Sequence, residues 1–496
     1  MSALGPLVGF APLLLAFAAL RLVPPTGRPL TVRQEAALCA FAVVTSTVLA
    51  GWWLAGRHLG LYGVDGSDHL QYCEAVDRVR SGARGGITGG QRSVVAALLP
   101  ATIARWWGVF DGLALASVLS FTAIALGSYL WTRAVASPVA AATSALLCAG
   151  LELVSATPRT LNFYPEINAA CLLASAAAAW ALVSGRMWSF PLAGAAIGVA
   201  LLMDVRALIW ALPCLGIALL GTLRAPWRHA PVRAALLVAL VAASFPLGRF
   251  AWHDQAGTLE HMVSVLNVGP SPGEYAVPGI REGGYVWGHS NPLRLFETLR
   301  FVAGVRPPNL VALDPPNHGR MVGVWFPALG LFGMLAAAGT FRDPRRLIAL
   351  VGTLLPWMTS LVQSGELLPQ SRFLQTGFCA VPTLVAVGLG ALAGVGDLRR
   401  AALAAALTVA FDAGWLPSSL TPIDAMRMRD GAGLAETVRN VIEHPEQPDN
   451  RACALALAHD RALGIQVGQI RVFGVDLLAP PPETDIPGPA NPQPPR

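Results

Sequence analysis

Apolar runs long enough to cross a lipid bilayer recur along this chain from residue 5 to residue 416. A helix needs about 20 apolar residues to span the hydrocarbon core, and only helices or closed barrels satisfy their backbone hydrogen bonds there. Of the 496 residues, 54% are hydrophobic and 13% are charged, which is about half the charge of a soluble domain. The sequence therefore predicts an all-helical polytopic membrane protein, and its net charge of +6 is not taken to indicate a nucleic-acid partner.

About twelve of these runs are predicted to span the membrane. They cover residues 5–23, 36–55, 111–131, 137–154, 167–183, 190–203, 206–222, 234–252, 321–340, 346–363, 374–394 and 400–416. Several are shorter than a standard span, so we expect tilted helices or paired half-helices.

The distribution of arginine predicts the orientation of the chain. There is no lysine, and if the N-terminus lies outside, every predicted inner loop carries arginine, in agreement with the positive-inside rule. The inner loops would hold Arg28, Arg33, Arg133, Arg186, Arg224, Arg228, Arg233, Arg342, Arg345, Arg346, Arg399 and Arg400. No basic residue precedes the first run, so we interpret it as a retained helix and not as a signal peptide. We expect a bacterial inner-membrane protein with both termini on the outer face.

Three segments are predicted to lie on the outer side: the loops 56–110 and 253–320, and everything after residue 416. They divide the chain into a transmembrane core at 1–416, a small C-terminal region at 417–479 and a Pro-rich tail at 480–496, which we expect to be disordered. Within the C-terminal region the sequence predicts a helix around Leu434–Glu443 and a strand at Gln469–Val475. Loops on a rigid scaffold often carry function, so we expect the chemistry on this side.

The seven cysteines fall into two groups. Cys73 and Cys453 lie in predicted outer segments, which allows a disulfide between them, although no spacing argues for it. The others lie in apolar runs, where cysteine packs as a small apolar side chain; they are Cys39, Cys148, Cys171, Cys214 and Cys379.

The first outer loop contains the most informative stretch. Asp68, Tyr72 and Ala75 are spaced to share one face of a helix, and Asp65 or Ser67 would cap its start. One interpretation is that the carboxylates only cap a short interfacial helix. The other is that one acts as general base on a sugar-acceptor hydroxyl, or holds a cation that helps a phosphate leave.

The segment Asp68–Ala75, with the sequence DHLQYCEA, resembles a motif of the GT-C superfamily of membrane glycosyltransferases. Its members, which include protein O-mannosyltransferases and aminoarabinose transferases, show an Asp-Glu-x-x-Tyr-x-x-Ala-like motif in the first outer loop after a spanning helix. The resemblance implies that Asp68 is the catalytic base. His69 replaces the usual Glu, so Asp65 or Glu74 must supply a second acidic residue if one is needed.

Further pieces similar to the GT-C pattern follow in the same order. Arg159 and Glu166 precede a spanning run, like an outer arginine followed by an acidic residue at a helix start. The Gly-rich stretch Ala193–Arg206 is similar to a helix that ends in a lysine near the outer surface. That lysine is absent here; Asp204 stands near its place, and Arg206 would substitute as the phosphate-binding cation.

Arg372 lies in Gln370–Phe373, which is similar to the superfamily's Arg-Tyr pair at a late outer helix start. Guanidinium groups bind phosphate bidentately and stay charged, so Arg206 and Arg372 are expected to hold the phosphate of a polyprenyl-phosphate sugar donor. The alternative is that these residues are interface anchors, or that Asp204 only pairs with Arg206. Charges at membrane depth cost about 2.5–3.5 kcal/mol each and tend to be paired or to face a cavity. Those near outer ends of runs are Glu152, Arg159, Glu166, Asp204, Arg206, Arg249, Arg372 and Asp412.

The loop 253–320 offers aromatic and histidine side chains. Tyr285, Trp287 and His289 alternate, so they would share one face of an extended segment, which suits stacking on a sugar of the acceptor; otherwise they are interface anchors. No spacing resembles a zinc site. The sequence neither requires nor excludes a bound divalent metal, and it identifies no cofactor.

Taken together, the apolar runs predict an all-α polytopic protein with about twelve transmembrane helices, and the resemblance implies that it is of the GT-C type. Its expected reaction moves a sugar from a polyprenyl-phosphate donor to a lipid, glycan or protein acceptor of the cell envelope. Three alternatives remain: a lipid-linked sugar flippase or transporter, for which inverted repeats are expected; a polysaccharide polymerase or ligase; and a catalytically inactive relative, because the usual Glu and Lys are missing. The absence of lysine rules out a Walker A motif and argues against an ATP-driven pump.

Overall fold

A computed structural model describes most of the apolar runs and part of the segments between them. The described residues are 5–24, 29–56, 66–82, 94–151, 154, 163–204, 207–224, 226–251, 318–367, 376–394, 397–414, 443–447, 450–465, 471–472 and 475–476.

Within these residues the chain is helical apart from one short hairpin. In chain order the helices are α1 (Gly5–Ala19), α2 (Val32–Gly56), α3 (Gly66–Arg80), α4 (Val94–Trp107), α5 (Val109–Val135), α6 (Pro138–Gly150), α7 (Tyr164–Ser184), α8 (Ser189–Met203), α9 (Leu208–Thr222), α10 (Ala230–Ala251), α11 (His318–Thr340), α12 (Pro344–Leu367), α13 (Val381–Ala393), α14 (Leu398–Gly414) and α15 (Arg451–Ala462). Short 3-10 helices follow α1 (Leu20–Leu22) and precede α10 (Trp227–His229).

Each predicted spanning run corresponds to one helix of this series, so the polytopic all-helical prediction is confirmed at that level. In the part of the chain that the structure describes, five helical stretches are long and apolar enough to cross a membrane. They are Val32–Gly51, Val109–Val135, Tyr164–Ser184, Trp227–Leu247 and Thr376–Ala393. That all twelve cross the bilayer stays a prediction.

Small residues allow the central helices to approach closely. In α7 the side chains are buried along nearly the whole length, and this helix packs against α5, α8 and α9. A Cβ added at Gly127 of α5 would lie 3.0 Å from the Leu172 Cβ, and one added at Gly221 of α9 would lie 2.7 Å from the Ala181 carbonyl oxygen. Packing of this kind drives helix association where lipid removes the hydrophobic effect between helices.

Helix ends that the arginine pattern places inside are found together at one end of the bundle, here named the arginine end. Arg21 follows α1 and donates to the carbonyls of Ala391 and Leu392 at the end of α13. Arg400, in the first turn of α14, donates to the carbonyl of Val23. At this end Glu35 of α2 pairs with Arg133 of α5, and the Arg224 guanidinium donates to the carbonyl of Val183 at the end of α7.

Helices α3, α4 and α15 lie at the opposite end, named the α3 end. The segment 56–110, predicted as an outer loop, contains α3 and α4, and α4 was not predicted. Helix α4 packs so tightly on α5 that a Cβ added at Gly112 would lie 2.6 Å from the Pro100 carbonyl oxygen.

The C-terminal region contributes α15 and a two-stranded antiparallel hairpin. Strand β1 (Arg471–Val472) pairs with β2 (Val475–Asp476), with Arg471 opposite Asp476 and Val472 opposite Val475. The described residues of the single strand predicted at Gln469–Val475 therefore belong to two strands, of which the second ends at Asp476. Apart from Glu443, the predicted helix around Leu434–Glu443 lies outside the described residues.

Candidate functional site

Helix α3 carries the predicted catalytic base and is buried along one side. Asp68 lies in its first turn, in agreement with the helix predicted from the spacing of Asp68, Tyr72 and Ala75. One turn further, the Tyr72 side chain is only 2% exposed, and its ring meets that of Phe163 edge-on at a centroid distance of 4.7 Å. Because Phe163 directly precedes α7, this contact joins the Asp68-bearing helix to the start of α7.

Glu166 lies in the first turn of α7, three residues after Phe163. The residue is 3% exposed, and among the described residues neither carboxyl oxygen has a partner at full hydrogen-bond geometry. The Ser120 hydroxyl of α5 is the nearby hydrogen-bonding group. A buried carboxyl without full pairing costs stability, and such groups cluster at functional sites in membrane proteins.

The ends of α8 and α9 add polar groups next to α7. Asp204 follows α8 and is 2% exposed, and its carboxyl is close enough to interact electrostatically with Cys171 of α7. Trp210, in the first turn of α9, packs against Trp357 of α12 with ring centroids 5.2 Å apart. Its indole N–H is buried without a partner among the described residues. Glu166 of α7 and the indole of Trp210 are thus buried polar groups that lack hydrogen-bond partners at full geometry among the described residues.

Most of the other predicted site residues lie outside the described part of the chain. This applies to Asp65, Arg159, Arg206, Trp287, His289 and Arg372, and to the side chain of Asp68. Their roles stay predictions.

A charged cluster on α3 was missed at the sequence level. The Arg80 side chain is 2% exposed and pairs with Asp77 of the same helix and with Asp460 of α15. Burial acts to lower the pKa of Arg80, but hydrogen bonds to Asp460 and Asp77 outweigh burial, so the pKa of Arg80 is raised. Arg80 and Asp460 are 380 residues apart in the sequence, so no local pattern could have indicated their ion pair.

The disulfide that the sequence allowed is present in the structure. Cys73 and Cys453 are bonded, with their Cα atoms 5.3 Å apart. The cysteines in apolar runs form no disulfide in the described part of the chain, and all but the half-buried Cys39 are buried, in agreement with the packing role predicted for them.

A second buried carboxyl belongs to α14. Asp412 is 0% exposed and has no hydrogen-bond partner among the described residues. It lies near Cys148 of α6, which in turn donates to Ser128 of α5. We assign no role to Asp412.

Across the described segments, no group of three or more His, Cys, Asp or Glu side chains is arranged to hold a metal ion.

No protein-family model matches the sequence, and no curated protein matches it significantly. Several solved structures are similar at low identity. The apo oligosaccharyltransferase of Archaeoglobus fulgidus superposes with a TM-score of 0.42 at 15% identity, over 91% of this chain and 60% of that one. Apo ArnT from Cupriavidus metallidurans gives a TM-score of 0.43 at 16% identity, over 89% of this chain and 73% of that one.

A third structure is that of AglB from Archaeoglobus fulgidus in complex with an inhibitory peptide and a dolichol-phosphate, with a TM-score of 0.41 at 14% identity, over 91% of this chain and 60% of AglB. The chain thus spans about 60% of the length of the archaeal enzyme. AglB and ArnT are GT-C superfamily membrane glycosyltransferases, the superfamily that the sequence motifs resemble. At TM-scores below 0.5 the similarity transfers no residue role, substrate or activity to this chain.

Proposed function

We propose that this protein is a membrane glycosyltransferase that moves a sugar from a polyprenyl-phosphate carrier to an acceptor at the outer face of a bacterial inner membrane. The observation that carries the proposal is the contact of Tyr72 with Phe163. It holds the helix that contains Asp68 against the start of the helix that contains Glu166, so two acidic positions far apart in sequence belong to one end of the bundle.

The proposed orientation has support from two independent features. The Cys73–Cys453 disulfide lies at the α3 end, and structural disulfides persist on oxidising faces of membranes. At the opposite end, arginines interact with backbone carbonyls of helix ends, as expected for a cytoplasmic face. Both features favour an outward-facing α3 end, and the twelve predicted spans are compatible with it.

In the proposed reaction, Asp68 takes the proton of an acceptor hydroxyl as that oxygen attacks the anomeric carbon of the sugar. The bond between this carbon and the phosphate oxygen breaks, and the lipid phosphate leaves with both bonding electrons. Arg206 and Arg372 would neutralise the departing phosphate, which is the step where charge develops. Asp65 is the alternative base.

The remaining predicted residues would form the walls of the pocket. Arg159 and Glu166 shape the donor side, and Tyr72 fixes α3 on Phe163. Trp287 and His289 would stack on the acceptor. The acceptor class, whether lipid, glycan or protein, follows from none of these residues.

The test uses native membranes and a panel of radiolabelled polyprenyl-phosphate sugars. Wild type is compared with Asp68→Asn, which keeps the shape of the side chain and removes its basicity. Glu446→Gln is the matched control, because this carboxylate lies in the C-terminal region with a side chain 72% exposed. All three proteins are first shown to be present in equal amounts.

Transfer by wild type and by Glu446→Gln, together with its loss in Asp68→Asn, is the expected result. If Asp68→Asn still transfers sugar, the proposed enzyme class stands and the base is Asp65. Failure of the wild type with every donor would contradict the proposal and favour a flippase or transporter.

A further inference from the structure

The last described helix, α15, lies on α3 and is joined to it covalently. Cys453 in the first turn of α15 is bonded to Cys73 in the middle of α3. The two cysteines are 380 residues apart, so the bond connects the first outer segment of the chain to its C-terminal region.

A buried ionic network makes a second connection near the other ends of the two helices. The Arg80 guanidinium donates to the Asp460 carboxylate of α15, to the Asp77 carboxylate of α3, and to the carbonyls of Ala104 and Ala456 at 3.3 and 3.4 Å. These bonds use all its nitrogens, so each of the five N–H groups of an arginine has an acceptor available. Arg80 therefore joins α3, α4 and α15.

Asp460 extends this network to the start of α5. One carboxyl oxygen accepts from Arg80, and the other accepts from the backbone N–H of Val109 at 3.1 Å. Val109 is the first residue of α5, where a carboxylate is favoured by the helix dipole. Gly108 allows this approach, because a Cβ at that position would lie 3.0 Å from the same carboxyl oxygen.

His459 closes the network on the solvent side. Its Nδ1 lies 2.9 Å from the Asp77 carboxylate, and its side chain is 36% exposed. Positions 73, 77 and 80 recur along one stripe of α3, which faces α15. Positions 68 and 72 form a different stripe, and Tyr72 packs towards α7.

We propose that Cys453 and Asp460 are positioning residues for the proposed transfer reaction, and that α15 acts as a redox-dependent clamp on the helix that carries Asp68. This inference rests on the proposed function for its catalytic consequence. Tyr72 fixes one stripe of α3 against α7, and α15 fixes the other stripe. With the disulfide reduced, the helix keeps only its non-covalent contacts and Asp68 loses its fixed position. The reaction thus depends on arrival at an oxidising face.

The redox step balances by thiol–disulfide exchange. Formation of the bond removes two protons and two electrons from the thiols of Cys73 and Cys453, and a disulfide-bearing oxidant of the outer compartment accepts them as it becomes a dithiol. Dithiothreitol reverses the step: the two cysteines regain their thiols, and the reagent becomes a cyclic disulfide.

The test uses the full-length protein in native membranes, with two readouts. The first is amide hydrogen exchange of peptides from residues 66–80, which needs no substrate and reports whether α3 is held. The second is transfer kinetics with the best donor. The proteins are wild type with and without dithiothreitol, Cys453→Ser, the double variant Cys73→Ser/Cys453→Ser, Asp460→Asn and Asp460→Glu. Cys39→Ser is the matched control, because Cys39 is a free, half-buried cysteine of α2.

We expect faster exchange in α3, and a kcat that falls about 10- to 100-fold at a nearly unchanged donor KM, because a misplaced base slows the chemical step more than binding. Reduced wild type, Cys453→Ser and the double variant should behave alike, and the double variant should not respond to dithiothreitol. Asp460→Asn should resemble them, with partial rescue by Asp460→Glu. Cys39→Ser should match wild type in both states.

Unchanged exchange in α3 after removal of the disulfide would overturn the clamp, whatever the kinetics show. Faster exchange with a wild-type kcat would overturn the positioning role. If α3 loosens as expected but wild type uses no donor, the proposed function fails, and the redox-dependent clamp on α3 stands by itself.

Discussion

At the arginine end of the bundle, Arg21 is exposed and donates to the carbonyls of Ala391 and Leu392, whereas at the α3 end Arg80 is 2% exposed and pairs with two carboxylates. The exposed arginine neutralises carbonyls that a helix C-terminus leaves unpaired. Water molecules could hydrogen-bond these carbonyls in place of Arg21, so its removal should cost little stability. The buried arginine has no such substitute, because its removal would leave Asp460 buried without its charged partner.

The same difference holds for the carboxyl groups. At the arginine end Glu35 is about a quarter exposed and pairs with Arg133. Near the α3 end Glu166 is buried without full pairing. The exposed charges of the arginine end help to orient the chain in the membrane, although the buried Arg233 also lies there. The buried carboxyl of Glu166 near the α3 end is costly to maintain. Costly environments persist where function requires them, which is why we place the site at the α3 end.

Removal of the buried ion pair should destabilise the protein more than any other change that we predict. Arg80→Met should destabilise the protein by roughly 3–5 kcal/mol, because it leaves the carboxylates of Asp77 and Asp460 without their cation. The measurement is the apparent Tm of the protein in detergent, read from the loss of the monomer on heating.

Arg21→Met is the matched control at the arginine end. It removes a cation from exposed carbonyls of a helix C-terminus, where the effect is about 0.3–1 kcal/mol. Equal losses of apparent Tm in the two variants would contradict the distinction between the two ends.

A smaller effect is expected at two glycines of the α3 end. Gly108 has φ +91 and ψ 170, a region that is nearly restricted to glycine, so Gly108→Ala costs roughly 1–3 kcal/mol from the backbone alone. The new Cβ would also lie 3.0 Å from the Asp460 carboxyl oxygen and 3.2 Å from the Ile465 side chain, which adds to the cost.

Gly82 supplies the comparison, because its φ is +70 and a Cβ there meets nothing within 4 Å. Gly82→Ala should cost only the left-handed backbone term, about 1–2 kcal/mol. The apparent Tm should therefore fall further in Gly108→Ala. A larger fall in Tm for Gly82→Ala than for Gly108→Ala would contradict the close packing of α15 against the start of α5.

The positions of the helices could be predicted because lipid sets a length that any sequence must meet. The run predicted at 167–183, for example, is found as Tyr164–Ser184. Helix α4 was missed for a different reason. Its 14 residues lie within the segment 56–110, which is rich in Gly, also contains Pro, Asp, Glu, His and Trp, and was assigned as a whole to an outer loop.

The contacts of the site were predictable only where a local pattern exists. The spacing of Asp68 and Tyr72 indicated a helix and its face. Cys73 and Cys453 both lie in segments predicted to be on the outer side of the membrane, which indicated that they could form a disulfide. Nothing local distinguishes Arg80 or Asp460 from other charged residues, because their pairing depends on the tertiary approach of α15 to α3.

The coupling between Glu35 and Arg133 at the arginine end should contribute least to stability. Both side chains are more than a quarter exposed, and two hydrogen bonds join them, at 2.5 and 3.2 Å. A double-mutant cycle with Glu35→Gln and Arg133→Gln should give about 0.2–1 kcal/mol. This coupling should weaken as salt rises, because solvent ions screen the interaction between exposed charges. The Debye length is about 10 Å at 0.1 M and becomes shorter at higher salt.

The same cycle at Arg80 and Asp460 should give a larger coupling with little salt dependence, since ions cannot enter a pair that is 2–3% exposed. Couplings of equal size and equal salt response at both sites would show that burial does not separate the two ends. The charges at the α3 end would then need no functional explanation, and burial would give no physical reason to place the site there.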